Sequence, residues 1–508
     1  MKIKIKQQLS SPEQTQFDAY DNFIVIFNKT KNISSWPEFP YREIVRQRIE
    51  KQGKIDCSTA FTTDLPNELG TKLTVVCIQP EISNFELLTL ARKLVSPYLH
   101  QNVSEIAVSL PEMAFELAQR VTEAVVASLL ASNHRMPSFK SKQFKDTHFS
   151  KLIIYYPEQK FSFKRTHAEM EGNNLARYLT YLPPNELTPN LYQKRISELA
   201  QAHGWKMEFF DIKALQRKKA GAFLAVAQGS ATHDAGIVYL RYDPVKHTKQ
   251  APLALVGKGI CFDTGGTNLK SARSMHGMHE DMEGSAVALG TLLALSNLKV
   301  DFPVECWLAL AQNHIGPSAY KQNDVVTACN GTTIEIIHTD AEGRMVLADT
   351  LALASRKKPA LIIDFATLTG SCINALGTSY SGVLTNRINW IYDIIEAGKD
   401  SGERVWPFPN DNDFDSALES NIADIKQCTL DSEADHILAF RFLNHFVPDD
   451  TPWIHLDLAA GNHKGGLAHI PTDTTGFGVR FTLNLLLDRE FINKARKHDS
   501  EKKSSPSA

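Results

Sequence analysis

The chain has 508 residues, of which 43% are hydrophobic and 22% charged, with 55 lysines and arginines against 57 aspartates and glutamates. This composition is typical of a globular protein with a large core, and the length predicts about two to four domains. The net charge of −2 excludes a protein that binds nucleic acid through an overall positive charge. The absence of a run of about 18 apolar residues argues against a membrane span.

The seven cysteines form no CxxC pair and mostly lie in apolar runs. We therefore interpret them as reduced core residues and not as a disulfide framework or a zinc site. The first residues, MKIKIKQQLSSPEQ, lack the apolar core of a signal peptide. Together these features predict a cytoplasmic location.

Residues 1–165 alternate short apolar runs rich in β-branched residues with helical patterns. The strand-like runs are 23–28, 72–78, 105–110 and 151–156, and the helical patterns are 83–97 and 111–131. This alternation predicts an N-terminal α/β domain with a parallel sheet covered on both faces. No glycine-rich phosphate loop of the GxxxxGK[ST] kind is present.

A polar helical stretch at 166–180 and the proline-rich PPNELTP at 183–189 predict a connecting helix and linker over 166–190. Stronger apolar runs follow, predicted as buried strands at 251–262, 303–312 and 359–368 and as a buried helix at 281–298. We predict a two-domain α/β protein in which the larger C-terminal domain, 191–492, has a mixed central sheet flanked by helices. The charged, serine-rich tail at 493–508 is predicted to be disordered.

Seven ionisable residues border the buried runs of the C-terminal domain: Lys258, Asp263, Lys270, Asp281, Asp340, Glu342 and Arg344. Buried segments normally avoid such residues, because an unpaired buried charge costs several kcal/mol. In α/β sheets, sites form at the carboxyl ends of strands. If the four carboxylates converge there, their repulsion favours two divalent cations, and oxygen ligands suit manganese, magnesium or zinc.

The spacing of Asp340 and Glu342 fits such a site, because in an extended segment both would point to one side, with Arg344 continuing the row until the helix begins. The same residues also allow structural interpretations. Alternatively, Thr339 and Glu342 fit a helix capping box, and Asp281 fits a helix N-cap. Lys258 could simply pair with Asp263, beside a turn formed by DTGG at 263–266.

At these residues the sequence resembles the leucyl (cytosol) aminopeptidase family of two-metal exopeptidases. HTDAEGRM at 338–345 is similar to the family signature NTDAEGRL, and VGKGICFDTGG at 256–266, Lys270 and DMEGSA at 281–286 are similar to its second block. Further matching pieces are EGNNLAR, GAFLAVAQGS, DFATLTGSC, ERVWPFP and TTGFGVR, so the resemblance spans about 171–480. It implies that 191–492 is a catalytic metallopeptidase domain.

The resemblance implies a role for each ionisable residue. The more exchangeable ion would be held by Asp263, Asp340 and Glu342, and the tighter ion by Lys258, Asp263, Asp281 and Glu342. The ions would be manganese or zinc, with magnesium as a further candidate. A water bridging them would attack the N-terminal peptide bond, while Lys270 stabilises the oxyanion and Arg344 holds a bicarbonate that shuttles the proton.

The resemblance also implies a substrate pocket, lined by Met278, Thr367, Leu368, Gly370 and Ala459. His338 replaces the family's asparagine beside the metal ligands, and we assign it either to substrate contact or to packing. Glu283 replaces a glycine of the family's DMGGAA, and we expect it to face solvent. The segments 312–325 and 428–438 depart from the family pattern, which leaves the preferred N-terminal residue open. We interpret His455 as a packed core histidine.

The implied partners are peptide substrates and further copies of the chain, because the resemblance implies a homohexamer. The alternative is a DNA-binding or purely structural relative with altered or lost peptidase activity. The near-zero charge and the lack of a recognition motif argue against nucleic acid. All seven ionisable positions match the family pattern, which argues against lost activity.

Overall fold

The computed structural model describes residues 3–52, 59–100, 103–142, 148–244, 250–431 and 433–496. The chain divides into two compact units, Met1–His167 with Gly465–Pro471, and Ala168–Lys464 with Thr472–Ala508. The predicted fold class, two α/β domains of unequal size, is confirmed. No described helix combines the length and the apolar character that a membrane crossing needs. Of the tail 493–508 that is predicted to be disordered, residues 493–496 are helical, and the remainder lies outside the described residues.

The first unit contains a six-stranded sheet in the order β1-β6-β5-β2-β4-β3, parallel except for β3. Its strands are β1 (Lys4–Gln8), β2 (Asn22–Asn28), β3 (Phe61–Asp64), β4 (Lys72–Ile78), β5 (Glu105–Ser109) and β6 (Lys151–Tyr155). Its helices are α1 (Gln14–Phe17), α2 (Arg42–Lys51), α3 (Asn84–Val95) and α4 (Phe115–Ser132). Ile24 and Ile26 pack in one apolar cluster while Phe23, Val25 and Phe27 pack in another, so both faces of β2 are covered, as predicted.

The segment Gly465–Pro471 belongs to the first unit although it follows it by some 300 residues in the chain. Ala468 packs in the apolar cluster that also holds residues of α3 and α4. Arg92 Nη1 donates hydrogen bonds to the carbonyl oxygens of Gly465 at 2.6 Å and Ile470 at 3.1 Å. The sequence alone predicts this segment as part of the C-terminal domain, 191–492.

The second unit contains an eight-stranded mixed sheet in the order β15-β14-β17-β13-β9-β10-β8-β7 and a small sheet in the order β11-β12-β16. The strands are β7 (Lys206–Asp211), β8 (Gly236–Tyr242), β9 (Leu253–Asp263), β10 (Val304–Asn313), β11 (Val325–Thr327), β12 (Thr333–Glu335), β13 (Leu361–Ala366), β14 (Ser381–Thr385), β15 (Val405–Pro407), β16 (Ile425–Lys426) and β17 (Trp453–Asp457). The four central strands, β17, β13, β9 and β10, are mutually parallel. Their carboxyl ends therefore lie at one edge of the sheet.

The helices that accompany this sheet are α5 (Lys164–Thr180), α6 (Pro189–His203), α7 (Ile212–Arg217), α8 (Gly221–Ala227), α9 (Ala272–Met275), α10 (Glu283–Leu298), α11 (Glu342–Ser355), α12 (Gly370–Leu376), α13 (Ile391–Ser401), α14 (Asp435–Asn444) and α15 (Val479–Leu483). Helix α10 is buried over most of its length, as its apolar sequence predicts. It can lie directly on the sheet because a methyl group at Gly284 would overlap the Phe365 carbonyl oxygen, and one at Gly257 would overlap Ser285 Cα. This close packing places the start of α10 over the ends of β9 and β13.

Candidate metal and active site

Polar residues end or follow each of the four parallel central strands. Asp263 ends β9, Asn313 ends β10, Thr367 follows β13 and Asp457 ends β17. Because these strands are parallel neighbours, their terminal side chains meet at one edge. The predicted convergence of ionisable residues takes place there.

Lys258 lies within β9, is only 3% exposed, and joins two of the predicted ligands. Its Nζ lies 2.6 Å from Asp281 Oδ1 and 3.0 Å from Glu342 Oε1, and it donates to the Thr367 carbonyl oxygen at 2.8 Å. Asp281 Oδ1 also accepts a hydrogen bond from Thr367 Oγ1 at 2.8 Å. The structural alternative in which Lys258 pairs with Asp263 is wrong.

Lys270 forms ion pairs with the other two acids, Asp263 and Asp340. Its Nζ lies 2.8 Å from Asp263 Oδ2 and 2.5 Å from Asp340 Oδ1. One carboxylate oxygen from each of Asp263, Asp340 and Glu342 lies within 4.8 Å of the other two. The four predicted carboxylates and two lysines thus form one cluster, while the ion pair of Arg344 is with Asp435.

The turn before α11 is fixed by side chains that the sequence argument did not single out as part of the site. Asn313, fully buried, donates from Nδ2 to Asp263 Oδ1 at 2.8 Å and to the Thr339 carbonyl oxygen at 3.0 Å. Tyr320 OH donates to the same carbonyl at 2.7 Å. These bonds hold the chain that carries Asp340 against the end of β9. The sequence gives little signal for Asn313, because it lies in the segment 312–325 that departs from the family pattern.

The extended segment predicted for Asp340, Glu342 and Arg344 is wrong. Asp340 lies in a turn and Glu342 is the first residue of α11, so their side chains converge through a bend in the backbone. The capping alternatives are also wrong, because neither Ala341, the N-cap of α11, nor Met282, the N-cap of α10, caps through its side chain. Thr339 Oγ1 instead donates to the Gly265 carbonyl oxygen at 2.6 Å.

Arg344 is buried, and two of its three guanidinium nitrogens donate hydrogen bonds. Its Nη2 donates to Asp435 Oδ1 at 2.7 Å and its Nη1 to the Gln427 carbonyl oxygen at 3.1 Å. Nε has no hydrogen-bond partner among the described residues. Asp435 comes from the segment 428–438 that departs from the family pattern, so the anion beside Arg344 in this chain is a side-chain carboxylate.

The carboxylates repel one another strongly in their buried setting. Burial raises the pKa of Asp281 well above its usual value, and burial together with the Asp263 and Glu342 charges raises the pKa of Asp340 to about 7. Burial and Asp263 also raise the pKa of Glu342. Burial alone would lower the pKa values of Lys258 and Lys270, but the surrounding carboxylates outweigh it and raise both.

This donor set fits two divalent cations. Four carboxylates face only two ammonium groups, and Asp281 Oδ2 is buried without a hydrogen-bond partner among the described residues. An orphaned carboxylate oxygen is costly to bury unless it binds a cation. Hard oxygen donors at mutual distances below 5 Å can bind such ions directly.

The cluster forms part of the wall of a cavity of about 520 Å³. Five of the six residues predicted to contact substrate line it as well: Met278, Thr367, Leu368, Gly370 and Ala459. His338 is not among the lining residues; its Nδ1 accepts a hydrogen bond from the Asp340 backbone N–H at 3.2 Å. Burial, with the nearby Lys270 charge, lowers the pKa of His338, so its ring is neutral at pH 7.

The expectation that Glu283 faces solvent is wrong. Glu283 is 1% exposed, and its carboxyl group packs against Gly461, where a methyl group would overlap it. Two residues that the sequence reasoning missed, Glu280 and Asn462, also line the cavity. His455 is a fully buried histidine, as predicted, with Nδ1 2.7 Å from Asp364 Oδ1.

The cysteines of the described chain are free, and five of the six are buried, while Cys57 lies outside the described residues. Burial raises the pKa of the Cys428 thiol, the one nearest Arg344, to about 11. A thiol with so high a pKa is neither a nucleophile nor a metal ligand near pH 7. The chemistry of the site therefore belongs to oxygen ligands and lysines.

Known proteins are similar to this chain in both sequence and fold. Residues 174–483 match the family described as "Cytosol aminopeptidase family, catalytic domain". A "Probable cytosol aminopeptidase" of Wolbachia pipientis wMel is 34% identical over 85% of this chain and 86% of its own, and one of Persephonella marina is 35% identical over 73% and 75%. A solved mutant of tomato leucine aminopeptidase aligns with a TM-score of 0.83 at 25% identity, over 96% of this chain and 97% of that one. The chain therefore belongs to the cytosol aminopeptidase family of peptide hydrolases.

Proposed function

We propose that the chain removes the N-terminal residue of peptides with two bound divalent ions, which are manganese, zinc or magnesium. The observation that carries this proposal is the cluster of four carboxylates and two lysines in the wall of a 520 Å³ cavity. Asp263, Asp340 and Glu342 would hold the exchangeable ion, and Lys258 and Asp281 would join Asp263 and Glu342 at the tighter one. When bound, the ions supply an activated water and polarise the scissile carbonyl.

The two lysines have different parts in this proposal. Lys270 borders the cavity and is not one of the proposed metal ligands, so its ammonium group would stabilise the developing oxyanion. Lys258 must lose its proton to act as a ligand, because an ammonium has no lone pair. Binding a dication between Asp281 and Glu342 removes the charges that hold this proton. Met278, Thr367, Leu368, Gly370 and Ala459 would contact the N-terminal side chain.

In this chain a bicarbonate ion at Arg344 would have to compete with the Asp435 carboxylate. Asp435 already accepts from Nη2, so bicarbonate would have to displace a carboxylate or use the unpartnered Nε. The residues present do not form a free anion site, and we assign no proton transfer to bicarbonate. Its binding at Arg344 stays a prediction, tested below.

The proposed partners are peptides and further copies of the chain. The family resemblance supports a homohexamer, and light scattering of the purified protein tests this. The names of the relatives support a cytoplasmic location. No feature of the described residues favours the DNA-binding alternative. The retained cluster favours an active enzyme over a structural relative.

Glu342→Ala tests the function directly, because Glu342 contributes to both proposed ion sites. We expect kcat/KM for leucine p-nitroanilide to fall by at least about 100-fold and the bound metal per chain, measured by mass spectrometry, to fall too. Glu419→Ala, at an exposed glutamate, is the control and should keep both values. A wild-type protein that cleaves no peptide with any of the three metals, or that retains full activity after chelation, would refute the proposal.

A further inference from the structure

One wall of the cavity carries a carboxylate outside the metal cluster. Glu280 ends the short 3-10 turn Met278–Glu280, immediately before Asp281, and it lines the cavity with Met278, Gly370 and Ile373. It is half-buried, so its charge is partly withdrawn from water yet still faces the cavity. It shares this cavity with Met278 and Gly370, which we propose to contact the side chain of the N-terminal residue.

The Glu280 carboxylate is held in place but not neutralised. Asn462 Nδ2 donates to Glu280 Oε2 at 2.8 Å. Among the described residues, Oε1 accepts no hydrogen bond and no lysine, arginine or histidine forms an ion pair with this carboxylate. The two lysines of the cavity, Lys258 and Lys270, are engaged by the metal-site carboxylates.

A second acidic residue of the cavity, Glu283, is more deeply buried than Glu280. Glu283 lines the same cavity, is 1% exposed, and its Oε1 has no hydrogen-bond partner in the described part of the chain. By contrast, Asp457 in the same wall is satisfied by the Leu368 N–H at 3.1 Å and by Thr369 Oγ1 at 2.6 Å. Burial raises the pKa of Glu283 well above its usual value. The half-buried Glu280 is therefore the acid that can offer a negative charge to the cavity.

The other lining residues determine which cation would fit. Met278, Ile373 and Ala459 offer apolar surface next to Glu280, and together they suit an aliphatic stem that ends in a positive charge. We propose that Glu280, positioned by Asn462, selects peptides whose N-terminal residue is lysine or arginine. This inference rests on the proposed aminopeptidase function and names its substrate class.

The test compares two substrates that differ mainly in one charge, lysyl and norleucyl 7-amido-4-methylcoumarin, with the metal-loaded full-length protein. We expect the wild type to favour the lysyl substrate at least about tenfold in kcat/KM, and Glu280→Gln to reduce that ratio by about 10- to 100-fold. Glu419→Gln, which removes one exposed carboxylate, should keep the wild-type ratio. Equal ratios in the wild type and Glu280→Gln, or a wild-type preference for norleucine, would overturn the inference.

A binding measurement distinguishes a failure of this inference from a failure of the proposed function. If no peptide is cleaved with any metal, the aminopeptidase proposal fails, and calorimetric binding of L-lysinamide and L-norleucinamide decides the role of Glu280. A preference for lysinamide that Glu280→Gln abolishes supports the inference. Equal affinity of the wild type for both amides overturns it.

Discussion

At the scale of single residues, the placement of Lys258 depends on a residue without a side chain. A methyl group at Gly343 would lie 2.6 Å from Lys258 Cε and 2.8 Å from its Nζ, closer than real Cβ atoms approach. An alanine at this position would therefore displace the end of the Lys258 side chain from the start of α11. The identity of the cluster could be predicted from sequence, because ionisable residues beside buried runs are conspicuous. The position of Glu283 could not, because its burial depends on Gly461, which is remote in the chain.

Asp435→Asn tests the competition at Arg344. The change removes the carboxylate that accepts from Nη2 at 2.7 Å, so bicarbonate no longer has to displace it. We expect the bicarbonate concentration that gives half-maximal stimulation of peptidase activity to fall by about tenfold. Asp431→Asn, at an exposed aspartate of the same segment, serves as the control. Identical bicarbonate titrations for the wild type and Asp435→Asn would show that Asp435 does not compete for this site.

At the scale of elements, long apolar runs were the most predictable part of the chain. β9, β10, β13 and α10 lie where the sequence placed them, because each is buried on both faces or all round. The short elements were not predictable in this way. The turn at Asp340 looked extended because two residues at i and i+2 suggest a strand, whereas bonds from Asn313 and Tyr320, distant in sequence, hold it bent.

Gly284→Ala tests the packing of α10 on the sheet. The added methyl group would overlap the Phe365 carbonyl oxygen, so the helix must move away from β13. Such overpacking costs about 1–3 kcal/mol or more, and we expect the midpoint of thermal unfolding to fall by about 5 °C or more. Ser296→Ala, at the half-buried end of the same helix, should change the midpoint by no more than about 2 °C. Similar midpoints for the two variants would contradict the close packing.

At the scale of the whole molecule, stability should depend on pH through Glu403. This carboxyl is buried, and burial raises its pKa to about 7, although the N–H groups of Phe481 and Gly478 donate to its Oε2. Because the folded-state pKa is raised, the folded protein binds this proton more tightly than the unfolded chain. The contribution of Glu403 to stability is therefore present below about pH 4.5 and is lost as the pH rises to about 7.

Glu403→Gln should remove this dependence, since the amide oxygen can accept both N–H groups without a charge. We expect the variant to gain stability relative to the wild type between pH 5 and pH 8, by up to about 3 kcal/mol. Thermal unfolding midpoints across that range measure the difference. Glu419→Gln should run parallel to the wild type. A difference between Glu403→Gln and the wild type that stays constant with pH would exclude Glu403 as the source.

The return of Gly465–Pro471 to the first unit means that no single cut in the backbone separates the two units. A fragment that starts at the linker would still carry Leu467, Ala468 and Ile470, three buried apolar residues, without the core that Ala468 helps to form. Arg92, whose hydrogen bonds fix both ends of this segment, would be missing as well. Production of the hydrolase portion by itself should therefore yield an aggregation-prone protein. An exchange of the amino-terminal portion for another domain would also require changes in this short stretch near the opposite end of the chain.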